Sequence, residues 1–154
     1  MPGLATLLQQ ELTLLESFSA LLAEERGLLE RGEADALPAL ANLKMPVISA
    51  LNTAGNTRNQ WLKQQGFPAD TTGIEACVKQ QAGDKNLQGL WQRFLQTARQ
   101  TRELNSFNAQ LLSQQLQATS EALEVLGQEA RRQALYGSDG QPTLATGNRV
   151  IDSA

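Results

Sequence analysis

Paired leucines recur every seven residues near the start of the chain: Leu7-Leu8, Leu14-Leu15, Leu21-Leu22 and Leu28-Leu29, with Leu4 and Phe18 on the same side. Seven residues make about two helical turns, so the pairs form one continuous stripe. Each pair spans about 100° of arc, wider than a single coiled-coil seam. Such a helix needs two neighbours, or one neighbour and a partner. Glu11, Glu16, Glu24, Arg26 and Arg31 fall mostly off the stripe's centre, and Gly32 is the stop.

A second helix follows almost at once. Asp35 is placed to cap it, and Pro38 is tolerated in a first turn, where its missing N–H costs nothing. Leu40, Leu43, Val47, Leu51, Ala54, Trp61 and Leu62 then recur at three-to-four spacing. Pro46 is the misfit: it should free the carbonyl of Asn42 and bend the axis. The short link from Gly32 to Asp35 predicts that helices one and two lie antiparallel. Gly66-Phe67-Pro68 ends the second helix. Asp70 or Thr71 can cap a short helix through Ile74, Cys77 and Val78, closed by Gly83.

The last helix is the longest. No proline interrupts the chain from Lys85 to about Leu135, which is roughly 75 Å of straight helix. Leu87, Trp91, Phe94, Ala98, Asn105, Leu112, Leu116, Leu123 and Leu126 share one side of it. From Gly137 onward the chain is rich in turn formers, with a short apolar pair at Val150-Ile151, and reads as a disordered tail. The pattern predicts an all-α fold: an antiparallel long-helix bundle with a coiled-coil-like hairpin, a short extra helix and a very long C-terminal helix. The helical domain is expected over 1–136 and the flexible tail over 137–154.

Composition agrees with this reading. Among 154 residues, Leu occurs 26 times, Ala 20 and Gln 18, while Val and Ile together total seven, so helix formers far outnumber strand formers. Histidine is absent and Cys77 is the single cysteine. His-based acid–base chemistry, His/Cys zinc sites and intrachain disulfides are thereby excluded. Glu24-Glu25 are adjacent carboxylates, and neighbours on a helix diverge by about 100°, a poor arrangement for an acid–base pair. No phosphate loop, nucleophile elbow or calcium loop is present. An enzyme is not expected, nor a metal or cofactor. Cys77 reads as a small buried apolar residue.

The net charge of −3 argues against a nucleic-acid partner, and the Arg131-Arg132 doublet suits a helix C-terminus. The charge is uneven: residues 1–43 carry −5 and residues 44–154 carry +2, which electrostatic matching between neighbouring helices explains. The N-terminus lacks the pattern of a signal peptide, and no apolar run is long enough to span a bilayer. A cytoplasmic location without membrane insertion is the expectation.

Two features of the last helix do not fit a simple bundle. Asn105 and Asn108 lie within its apolar stripe, flanked by Leu104, Phe107, Leu111 and Leu112. A buried amide is costly without partners. The apolar arc also widens here: Leu104, Leu111 and Ala122, with Phe107, Ala118 and Val125 further round, form a second stripe beside the first. Two explanations stay open. The amides can fix helix register while helices one and two cover the second stripe. Alternatively, the second stripe is left for a partner helix, the amides fix its register, and Gln110, Gln114, Gln115 and Gln117 supply adaptable hydrogen bonds.

The stretch Arg102-Glu103-Leu104-Asn105-Ser106-Phe107-Asn108-Ala109-Gln110-Leu111-Leu112 resembles the Leu-Asn-x-x-Asn-Gly-x-Leu-Leu/Ile pattern of the FlgN-type flagellar export chaperones. Glu121-Ala122-Leu123-Glu124-Val125-Leu126 is similar to the apolar run that ends that family's long helix, and Leu135-Tyr136-Gly137-Ser138-Asp139-Gly140-Gln141 to its Leu-Tyr-Gly-x-Asp-Gly-Gln segment. Ala109 stands where the family usually has Gly, so a partner backbone approaches less closely there. The resemblance implies a cytoplasmic chaperone for the hook-associated proteins of the hook–filament junction. It would hold a client's terminal helical segment, prevent premature assembly and deliver the client to the export gate. On this reading the client contacts are Leu104, Asn105, Phe107, Asn108, Leu111, Leu112, Gln115, Ala122 and Val125, and Tyr136 docks on the gate's cytoplasmic domain. A Tyr136 that merely packs at a helix end is the other reading, and a homodimeric helical scaffold is the alternative for the whole chain.

Overall fold

A computed structural model describes residues 2–136. Within them lie four α-helices and one 3-10 turn: α1 (Leu4–Arg31), the turn (Ala34–Ala36), α2 (Leu37–Gln64), α3 (Thr71–Gln80) and α4 (Lys85–Tyr136). No strand occurs among the described residues. The tail expected over 137–154 lies outside them. The chain divides into two compact units, Met1–Leu111 and Leu112–Ala154.

Local chemistry accounts for the helix ends. Gly32 adopts φ 70°, the left-handed conformation that only glycine takes cheaply. The backbone N–H groups of Gly32 and Glu33 then donate to the carbonyls of Leu29 and Leu28, at 3.2 and 2.9 Å, which closes α1. Asp35 does not cap α2 as expected. It sits inside the 3-10 turn, and α2 starts two residues later, with Pro38 in its first turn and no side-chain cap. Three residues of 3-10 helix reverse the chain without needing that cap. Pro46 lies within α2, which continues as one helix to Gln64.

Asp70 caps α3: its carboxylate accepts the backbone N–H of Gly73 at 3.0 Å and the hydroxyl of Thr72. These hydrogen bonds, Thr72's first, hold the Asp70 carboxyl below its usual range. Asp84 does the same for α4, accepting from the N–H of Leu87 at 3.0 Å.

The first unit is held by one core cluster. Leu4, Leu8, Leu62, Ile74, Cys77, Leu87 and Trp91 are buried together, with Trp61, Phe67 and Phe94 packed against them. Further along α1, Leu12, Leu22 and Leu29 are also buried, so the seven-residue stripe is the core face of that helix. Each such side chain contributes about 1.5–3 kcal/mol by leaving water. Trp91 stacks on Phe94 with ring centroids 5.6 Å apart. Burial pushes the Cys77 thiol up, which keeps it protonated and unreactive.

Ion pairs report helix directions. Glu11 meets Arg58 and Glu25 meets Lys44, so α1 and α2 run antiparallel, as their short link requires. Glu16 meets Arg93 at 2.6 Å and Leu22 meets Asn108 at 2.8 Å, so α4 runs parallel to α1. These pairs join the acidic first helix to the more basic remainder, the matching that the uneven charge predicted.

Gly73 is required for a different reason from Gly32. A Cβ built there would lie 1.8 Å from the carbonyl oxygen of Pro68. Gly73→Ala is therefore expected to displace the start of α3 and cost about 2–3 kcal/mol. Urea denaturation measures this; an unchanged midpoint would show that the preceding turn yields without cost.

Candidate functional site

The candidate face lies on α4, and the structure divides its residues sharply. Asn108 is 2% exposed, whereas Asn105 three residues earlier is exposed. The Asn108 amide nitrogen donates to the backbone carbonyl of Leu22 at 2.8 Å and to Glu25 Oε1 at 3.0 Å. The other oxygen of Glu25 accepts from Lys44. One amide, one carboxylate and one ammonium thus tie α4, α1 and α2 together. The Oδ1 of Asn108 has no hydrogen-bond partner. Of the two explanations for the Asn pair, register fits Asn108, and only Asn105 is available at the surface.

Phe107 stands beside this tie and is 41% exposed. The guanidinium of Arg26, from α1, lies over its ring at 4.6 Å from the centroid, a cation–π contact. Leu104 and Leu111 are half-buried on the same flank of the helix.

In the second unit, Leu112 is 40% exposed, and Ala122 and Val125 are exposed; Gln115 is half-buried. Leu116, Leu123 and Leu126 are each more than 60% exposed. Sequence periodicity had placed these leucines in the core stripe with Leu87 and Trp91. The stripe is indeed continuous, but its burial is not. Helix length held the missing signal: α1 and α2 have 28 residues each and α4 has 52. At 1.5 Å per residue that is about 42 Å against about 78 Å. Tyr136 is the last residue of α4, and its side chain lies outside the described ones.

Elsewhere, a groove of about 840 Å³ runs between α1 and α2, walled by Leu7, Leu14, Pro46, Ala50 and Ala54. Its threonines spend their hydroxyls on their own helices: Thr13 donates to Gln9, Thr53 to Ser49 and Thr57 to Thr53. No lining residue is titratable. Glu11 and Arg58 also join the two helices, the Arg58 Nη1 reaching both carboxylate oxygens at 2.5 and 2.6 Å. Burial pushes the Glu11 carboxyl up, and Arg58 offsets this only in part. Among the described residues no group of three or more acidic or cysteine side chains could hold a metal ion.

Four helices share the core of the first unit, and in the second unit α4 carries a row of exposed leucines. The profile described as FlgN protein matches residues 1–143, and the chain belongs to the FlgN family. It is 31% identical over 139 residues to the flagella synthesis protein FlgN of Yersinia enterocolitica, serotype O:8 / biotype 1B, spanning 89% of this chain and 87% of that one. The crystal structure of a protein provisionally described as a flagella synthesis protein FlgN, from Pseudomonas aeruginosa, superposes with a TM-score of 0.63. At 23% identity, with 82% of this chain and 99% of that chain covered, it shares the fold.

Two stability outcomes follow from the buried polar groups. Asn108→Ala removes the amide that donates to the Leu22 carbonyl and to Glu25 Oε1 and should cost about 1–3 kcal/mol, whereas Asn105→Ala should stay within about 0.5 kcal/mol. Equal losses in chemical denaturation would contradict the split. Glu11 holds its proton more tightly folded than unfolded. Its contribution is therefore full below the ordinary carboxylate pKa of 4.5 and is lost as pH rises through the raised value. Glu11→Gln should remove that loss, so the stability difference between wild type and variant should shrink or reverse as pH climbs from 4.5 towards neutrality; a pH-independent difference would refute it.

Proposed function

We propose that this chain is a flagellar export chaperone that binds helical segments of the hook-associated junction proteins. Membership of the FlgN family, with relatives named flagella synthesis protein, supports a role in flagellar assembly. The observation that carries the holding mechanism is the run Leu112, Leu116, Leu123 and Leu126, four leucines on one side of a helix and all exposed. Monomeric proteins rarely display so much aligned apolar surface without a use for it. A client's amphipathic helix laid on this face would bury it in coiled-coil fashion.

Four large apolar side chains contribute about 1.5–3 kcal/mol each before ordering costs, enough for micromolar or tighter binding. Phe107, Leu104, Leu111, Asn105, Gln115, Ala122 and Val125 complete the proposed contacts. Asn108 supports them from inside, by fixing the register of α4. Holding a client's terminal segment in the cytoplasm would prevent premature assembly. Tyr136 is proposed to dock on the cytoplasmic domain of the export gate, on the strength of the Leu-Tyr-Gly resemblance. The protein acts by binding, without catalysis or cofactor. No described helix is long and apolar enough to cross a membrane.

The test uses the hook-associated proteins encoded by the same genome, titrated against the purified chain. Leu123→Ser with Leu126→Ser should preserve helicity, because both positions are exposed, and weaken binding by about 100-fold. Undiminished binding would move the client elsewhere. Sizing at dilute concentration addresses the homodimeric scaffold: a tight dimer blocked by the same substitutions would mean the leucines serve a second copy.

A further inference from the structure

We infer that Arg26, on α1, is a further determinant of partner recognition and selects a client helix bearing a carboxylate where that helix crosses Phe107. The inference rests on the chaperone reading and concerns the first unit only. Arg26 lies over the Phe107 ring at 4.6 Å. Its Nε donates to Glu30 at 2.8 Å, and both side chains are half exposed. Its two terminal nitrogens make no hydrogen bond to any described residue. Asn108, the next residue along α4, is anchored to α1 through Leu22 and Glu25, so the ring is held in place opposite the guanidinium.

A helix that covers Phe107 must also strip water from the cation stacked on it. Four N–H groups on the terminal nitrogens then need acceptors. A guanidinium buried with most of its N–H groups unmet is disfavoured. A carboxylate is the acceptor that matches its charge and its planar fork. A neutral or basic residue at that point would leave the cation with Glu30 as its sole acidic acceptor among the described residues and its terminal N–H groups unmatched, and this is what makes the contact selective. Glu30 shows the chemistry on a small scale, since it already satisfies one edge of the guanidinium. It also competes with an incoming acid for the same charge.

The experiment is a titration of the full chain with the hook-associated proteins encoded by the same genome, at low and high ionic strength, with melting followed in parallel. Arg26→Gln should weaken binding about tenfold or more and flatten its salt dependence. Arg26→Lys, which keeps the charge and loses the fork, should fall between. Glu30→Gln should tighten binding, and melting should change little in all three. An Arg26→Glu chain should regain affinity with a client carrying one Asp or Glu changed to Lys in its captured segment. Wild-type affinity and salt dependence in Arg26→Gln, or weaker binding in Glu30→Gln, overturns this inference while leaving the chaperone reading intact. No binding by the wild-type chain overturns both.

Discussion

The carboxylate of Glu25 is where three helices meet. It accepts from Asn108 of α4 on one oxygen and from Lys44 of α2 on the other. Apolar packing alone leaves parallel helices free to slide, because leucine stripes are nearly self-similar every seven residues. A buried amide removes that freedom, since shifting α4 would strand its N–H donors away from the acceptors on α1. The register of α4 sets which residues face inward. It also places Phe107 against Arg26.

The same economy appears at Glu11 and Arg58, the other polar contact at the heart of the hairpin. Two charges there are largely removed from water, and the pair does little for net stability in most settings of this kind. Its directional bonds do specify how α1 and α2 align. The two ties lie at separate points along the hairpin, and between them the hydrophobic core needs only to be filled. Non-directional burial supplies the stability of the first unit, and a few polar contacts supply its uniqueness.

Much of this was legible in the residues. The leucine pairs mark the core face of α1, Gly32 marks its end, Asp70 the start of α3, and the proline-free run from Lys85 the length of α4. These are local signals, and local signals survive folding. The misread residues depend on neighbours that periodicity does not encode. Asn105 and Asn108 look alike on a helical wheel, yet only one faces a carbonyl on α1. Leu116, Leu123 and Leu126 continue the core stripe in spacing, yet they are exposed. Asp35 resembles a cap until the turn preceding α2 is seen to be 3-10. The contact of Arg26 with Phe107 was not legible, because it joins residues about eighty positions apart in the chain.

The placement of the aromatic residues gives this protein a built-in division of optical signals. Both tryptophans, Trp61 and Trp91, lie in the first unit, one in its core cluster and the other packed against it. Residues 112–154 contain no tryptophan. Indole fluorescence therefore follows the core of the first unit alone, whereas helical circular dichroism sums over all of α4. Disagreement between the two signals during heating would be the mark of a helix whose far half melts on its own.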